Sequence, residues 1–232
     1  MQLAAVRQLA ATEKVCPIEI ARICPPSGPI AWGTPACRAD RAIPGERGMS
    51  APAGITVRAA TPAEIPALQS LIASSARRLS RGHYDANEIE AAVAHVFGVD
   101  SDLVADGTYL VAQGHDGGIV GCGGWSRRRT LFGGDQAGGR DNGLLDPATD
   151  AARIRAFFTA PGHERQGIAT LLLDACETAA RAAGFQRTAL MATLPGLPFY
   201  AAQGYHPGAA IDHPCGETLV PFVPMDKDLW QK

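Results

Sequence analysis

Downstream of residue 54 the apolar positions fall into two periods, and their alternation lays out the elements. Residues 55–59 alternate as a short strand, and Thr61-Pro62-Ala63-Glu64 then forms a capping box with proline at the first helical position. Ile65, Leu68, Leu71, Ile72 and Leu79 follow at helical spacing, which predicts an amphipathic helix. Asp85 and Glu88 repeat the N-terminal signature before Ile89, Ala92, Val93, Val96 and Phe97, predicting a second helix that ends near Gly98. Residues 109–113 and 119–125 are β-prone runs joined by His115-Asp116-Gly117-Gly118, a hairpin turn in which glycine tolerates positive φ.

From there to Asp150 the pairs Gly133-Gly134 and Gly138-Gly139, with Gly143, mark a long surface loop. Residues 152–159 return to strand, and simple alternation puts Arg153, Arg155 and Phe157 on one face and Ile154, Ala156 and Phe158 on the other. A glycine-bearing turn over 161–167 leads into Ile168, Leu171, Leu172, Ala175, Cys176 and Ala179 at helical spacing. Beyond it come a strand over 188–192, a helical turn over 197–202 and two strands around Tyr205 and 219–225. Strands and helices in this order, with an early hairpin, predict a mixed α/β sheet of about six to seven strands flanked by helices.

Residues 1–48 lack such periodicity after about Lys14 and hold six of the 17 prolines and three of the six cysteines. They read either as a disordered tail or as an extension ahead of a true start at Met49, and a chain beginning there is expected to fold; residues 50–230 form the one domain. No signal peptide is legible, because Arg7, Gln8, Glu13 and Lys14 interrupt the opening run.

With 46% hydrophobic and 19% charged residues the chain can bury a core, which excludes wholesale disorder. A net charge of −2 supplies no basic field for a phosphate backbone, so no nucleic-acid partner is expected. The uncharged run 188–211 is broken by Pro195, Pro198 and Pro207, so no membrane span is expected either. The six cysteines form no CxxC pair or metal-type cluster; reduced thiols, no metal and a cytoplasmic location follow as expectations.

The sharpest local feature is the turn before the helix at Ile168, because free backbone N–H groups at a helix start bind anions and glycine permits close approach. A pyrophosphate fits such a site. On these residues the sequence resembles the GCN5-related N-acetyltransferase superfamily, from Ile55 to about Lys227. The family's acetyl-CoA motif is Arg/Gln-x-x-Gly-x-Gly/Ala, and Glu164-Arg165-Gln166-Gly167-Ile168-Ala169 matches it at Gly167 and Ala169. Glu164 departs from it, and a carboxylate there repels a pyrophosphate unless it points away. A second block, Pro198-Phe199-Tyr200-Ala201-Ala202-Gln203-Gly204-Tyr205, looks like the superfamily's Phe-Tyr-x-x-x-Gly-Phe/Tyr segment. Gly121-Cys122-Gly123-Gly124-Trp125-Ser126 with residues 153–158 looks like a group of bacterial acetyltransferases of unassigned acceptor.

The resemblance implies a sheet splayed at the acetyl-CoA site and direct acetyl transfer from acetyl-CoA to a primary amine of a small molecule or peptide. It implies acetyl-CoA binding by Phe157, Phe158, Thr159, Arg165, Gln166, Gly167, Ile168, Ala169 and Thr170, with a backbone N–H near Phe158 on the thioester carbonyl. Tyr200 is the implied acid. No base declares itself, since Arg153 and Arg155 stand where some relatives carry a glutamate, and water then takes that proton. Arg155 is either a substrate-carboxylate ligand or a structural arginine. His83, Tyr84, Trp125 and Ser126 are the other candidates for the acceptor pocket. The protein is expected to be a monomer or homodimer. Two rivals stand beside this reading: a non-catalytic acyl-CoA sensor, and a thiol enzyme built on Cys215 with Asp212 and His213.

Overall fold

The computed structural model describes residues 54–230, so the reading of residues 1–48 lies outside the described part. Strand β1 (Thr56–Ala59) leads through a 3-10 turn (Pro62–Glu64) into α1 (Ile65–Leu79). The capping residues act as their types dictate: Glu64 Oε2 accepts from the Thr61 backbone N–H at 2.8 Å, and Asp85 and Glu88 exchange side-chain bonds with each other's N–H at the start of α2 (Ala86–His95). Next come the short α3 (Ser101–Ala105), β2 (Tyr109–Gln113), β3 (Ile119–Ser126), β4 (Ala152–Thr159) and α4 (Ile168–Ala182). The chain ends with β5 (Arg187–Thr193), α5 (Leu197–Ala202), β6 (His206–Pro207), β7 (Ile211–Cys215) and β8 (Thr218–Asp228).

The Arg58 guanidinium, which bonds both Glu64 oxygens, is the main cause that holds the Glu64 carboxyl at about 2; the Thr61 bonds add to it. The folded value lies below the unfolded value of about 4.3, so this contribution is complete above about pH 4.3 and is lost as pH falls toward about 2. Glu64→Ala should therefore cost about 1 kcal/mol at neutral pH, a typical value for a lost cap. Denaturation at a series of pH values should show that penalty shrinking below about pH 4.

Among the described residues the mixed sheet is present with eight strands, in the order β1-β2-β3-β4-β5-β8-β6, with β7 also paired to β8. The strand missing from the sequence reading is β7, whose Pro214 obscures it; proline is tolerated there because β7 bonds only to β8. All pairings are antiparallel except β4 with β5, which is parallel and limited to Ala152–Thr188 and Arg153–Ala189. From Ile154 onward β4 has no β5 partner, and this splay positions the site.

Two helices cover opposite faces of the sheet. Leu68 and Ile72 of α1 pack with Leu103, Val111 and Cys122 on one face, while Leu173, Cys176 and Ala180 of α4 pack with Trp125, Ile154 and Leu190 on the other. A third cluster seats Ile89, Ala92 and Val96 on Val220 and Phe222 of β8.

The alternation expected for β4 is broken by a bulge. Register slips between Cys122 and Gly124, and Ala156 takes φ 54°. Phe157 thereby joins Ile154 on the α4 face, while Ala156 and Phe158 pack toward α1. Gly123 makes this possible, since a β-carbon there would lie 2.6 Å from the Phe157 ring.

The loop after β3 is tied down rather than loose. Arg128 pairs with both Asp106 oxygens at 2.8 and 2.7 Å, and Thr130 N–H donates to Asp141 C=O at 3.0 Å while Asp141 N–H donates to Thr130 Oγ1 at 3.0 Å. Among the described residues no helix is long and apolar enough to cross a membrane.

Candidate functional site

Where β4 leaves β5, a cavity of about 900 Å³ opens. Its walls are the C-terminal half of α1 with His83, β4 from Ile154 to Thr159, the turn into α4, and Tyr200 of α5. Met191 and Thr193 of β5, Val96 to Gly98 and Phe132 to Gly134 complete it.

The turn into α4 carries three left-handed residues, Gly162 at φ 89°, Arg165 at φ 58° and Gly167 at φ 79°, and among the described residues no side chain caps the helix. The first bond of that turn runs from Leu171 N–H to Gly167 C=O at 3.0 Å, so the amides of Ile168, Ala169 and Thr170 have no intrahelical acceptor. Unsatisfied amides at a helix start carry partial positive charge, which suits a phosphate. Glu164 is turned to local partners. Its carboxylate accepts from Gly162 N–H at 2.9 Å and Arg78 Nε at 3.1 Å, and backbone N–H bonds, its own and that of Gly162, hold its pKa below the usual range with Arg78 assisting.

Tyr200 faces the cavity in an aromatic setting, edge-on to Phe199 at 5.0 Å and to Tyr205 at 5.7 Å. Burial pushes its phenol pKa far up, with Cys176 adding, and among the described residues its hydroxyl has no hydrogen-bond partner. It is thus a proton holder with nothing to hold it. Its support is rigid: Tyr205 N–H donates to Tyr200 C=O at 3.0 Å, and the Tyr205 hydroxyl lies 3.1 Å from Glu177 and 3.0 Å from Thr188. Lys227 neutralises Glu177, with 2.8 Å to each oxygen.

Of the residues singled out from sequence, Phe157, Phe158, Thr159, Arg165, Gly167, Ile168, Ala169, Thr170, Tyr200, His83 and Arg155 line this one cavity. Gln166 does not; its amide donates to Gly162 C=O at 3.2 Å. Trp125 is buried against Phe185 under α4, at a ring distance of 6.2 Å. Tyr84 is buried below α2, where its hydroxyl donates to Pro221 C=O at 2.8 Å and accepts from Leu194 N–H at 2.9 Å. Burial raises the Tyr84 pKa to about 12.

Arg155 reaches the wall, but its guanidinium is engaged. It pairs with the buried Asp100 and donates to Gly133 C=O, so it holds the loop after β3 to the start of α3. Arg155→Ala should accordingly lower stability by about 3 kcal/mol, the low end for breaking a buried pair, because Arg140 still contacts Asp100 at 2.6 Å. Chemical denaturation decides it, since an arginine that only met substrate would leave stability unchanged.

Residues missed in the sequence also line the cavity: Ser75 and His163, each with a buried side-chain atom lacking a partner among the described residues, and Phe97, Phe132, Met191 and Phe222. They come from segments far apart in the chain, and periodicity carries no signal for such a meeting. The cluster Asp212, His213 and Cys215 does not support thiol chemistry, because Cys215 is buried with its pKa raised and the His213 ring packs edge-on to Phe132 at 4.8 Å.

Residues 75–205 match the model of the acetyltransferase (GNAT) family. No curated protein matches the chain. Among solved structures, the GCN5-related N-acetyltransferase "Aminotransferase, Class-II" from Rhodopseudomonas palustris is 21% identical with a TM-score of 0.57, over 79% of this chain and 99% of that one. The PaiA N-acetyltransferase of Thermoplasma acidophilum, solved with coenzyme A, is 14% identical with a TM-score of 0.50, over 75% and 98%. The yncA protein of Salmonella typhimurium, solved with its cofactor acetyl-CoA, is 15% identical with a TM-score of 0.51, over 78% and 96%. At these identities the likeness is one of fold.

Proposed function

Because this chain belongs to the acetyltransferase (GNAT) family, we propose that it moves an acetyl group from acetyl-CoA directly to a primary amine, with the transfer centred on the splay between β4 and β5. The observation that carries this is the meeting, in one cavity, of an uncapped helix start, an unpaired strand edge and a partnerless tyrosine hydroxyl.

Each part answers one demand of the chemistry. The amides of Ile168 to Thr170 and the left-handed Gly167 receive the pyrophosphate without side-chain charge. The free edge of β4 offers backbone groups to the two amides of pantetheine, as a missing strand would. A backbone N–H near Phe158 faces the oxygen that gains charge as the thioester carbonyl becomes tetrahedral, and a fixed donor there needs no reorganisation. Tyr200, kept protonated by burial, gives its proton to the departing thiolate. Glu164, bound to Gly162 and Arg78, leaves the pyrophosphate site uncontested.

The free hydroxyl of Tyr200 favours catalysis over a sensor that only binds acyl-CoA. The test is release of free thiol from acetyl-CoA across a panel of primary amines, with the acetylated product identified by mass. Turnover on one or more amines is expected; tight acetyl-CoA binding with no acetylated product across the panel would support the sensor.

A further inference from the structure

We propose that the acceptor end of the cavity takes a small primary amine carried on an aromatic or compact apolar body, a refinement that rests on the acetyl-transfer reading above. With the donor laid along β4 and the start of α4, the remaining wall includes Phe97, Phe132, Phe222 and Met191, with Phe158 at the end of β4, beside His83, Ser75 and Ser80. The four phenylalanines form one contiguous aromatic cluster, with Phe97 at 5.5 Å from Phe158 and 6.0 Å from the buried Phe222, and Phe132 at 5.8 Å from Phe222. Phe97, Phe132, Phe158 and Met191 are only half-buried. Apolar surface left facing a cavity gains by covering apolar ligand surface.

Charge narrows the choice further. Among the described residues that line the cavity, Glu164 is the sole carboxylate, and Gly162 N–H and Arg78 bind it. Asp100, behind the wall, is taken by Arg155 and Arg140. A polyamine or lysine-rich peptide would therefore bring ammonium groups to a place with no free counter-charge, and burying unpaired charge is expensive. An amine on an apolar body avoids this. The same surroundings lower the pKa of its ammonium and favour the neutral nucleophile.

The wall is also tied down at its far end. Gly134 N–H donates to Val96 C=O at 2.8 Å, Asp135 N–H to Val99 C=O at 3.0 Å and Gln136 Nε2 to Phe97 C=O at 2.8 Å, while Phe132 rests on His213 of β7. This strap joins β7 to the segment after α2 and holds Phe132 to Gly134 in place as one wall of the cavity, a fixed surface against which a small molecule can pack. In the reaction the nitrogen lone pair forms the new bond to the acetyl carbon and the carbon–sulfur bond breaks. Tyr200 protonates the sulfur, and the proton lost by nitrogen passes through water to restore Tyr200.

Phenethylamine, spermidine and a lysine-containing peptide, each titrated by calorimetry into protein saturated with CoA and assayed with acetyl-CoA, test this. Phenethylamine should bind and react at least about tenfold better than the other two, and Phe132→Ala should weaken it about tenfold, the loss of one good contact, with acetyl-CoA affinity unchanged. Phe132→Leu, which keeps the volume closer, guards against a folding defect and should lose less. Preference for spermidine or the peptide, equal use of all three, or unchanged phenethylamine affinity in folded Phe132→Ala would overturn the inference. Absence of acetyl-CoA binding in the unaltered protein would instead overturn the acetyl-transfer reading beneath it.

Discussion

Gly167→Glu should abolish acetyl-CoA binding, weakening it by at least about 10²-fold, because charge-assisted bonds of about 1.5–3 kcal/mol each are lost together. Two effects act at one residue. Gly167 precedes the uncapped start of α4 with φ 79°, a backbone that favours glycine, and a carboxylate there adds like charge to the pyrophosphate. The left-handed backbone costs an L residue about 1–2 kcal/mol, so the variant should melt somewhat lower while staying folded. Gly167→Asn separates the causes, because asparagine tolerates that backbone and brings no charge. It should bind acetyl-CoA better than the glutamate variant. Arg165→Ala should matter far less than either, as backbone rather than its exposed side chain makes the site. Calorimetry showing equal affinity for the unaltered protein and folded Gly167→Glu would remove the pyrophosphate from this turn.

Tyr200→Phe should lower turnover by about 10²-fold, the low end for general acid catalysis, because water substitutes in part. Removal of the hydroxyl alone leaves the ring on Phe199 and Tyr205, so stability and acetyl-CoA affinity should hold. Burial raises the phenol pKa, so the acid stays protonated throughout ordinary assay pH and its loss should lower the rate evenly there, without creating a new titration. Steady-state rates on a confirmed amine decide between roles. An unchanged rate would make Tyr200 a packing residue, and a rate that falls together with acetyl-CoA affinity would make its hydroxyl a donor ligand.

What could be read from sequence was what neighbouring residues decide among themselves. The capping residues Thr61 with Glu64 and Asp85 with Glu88 act locally, and so does the glycine turn ahead of Ile168; each lies where its pattern put it. The bulge at Ala156 was hidden, because alternation assumes one extended backbone and cannot see that the Phe157 ring needs the space above Gly123. Tyr84 and Trp125 have apolar bodies and polar tips, which suit a pocket as well as a core. The tertiary partners of Tyr84, Pro221 and Leu194, are more than a hundred residues away. Arg155 stayed open between two roles because Asp100 and Gly133 approach it only in the folded chain. The aromatic acceptor wall was illegible for the same reason, as Phe97, Phe132, Phe158 and Phe222 belong to four separate segments.

The donor site is the premise of the whole account, and titration of acetyl-CoA into the unaltered protein tests it most directly. Saturable binding of one acetyl-CoA per chain is expected, displaced by CoA and far more weakly by adenosine diphosphate, which has a pyrophosphate but no pantetheine to lie along β4. Absence of saturable heat, or displacement by adenosine diphosphate as good as that by CoA, would contradict it.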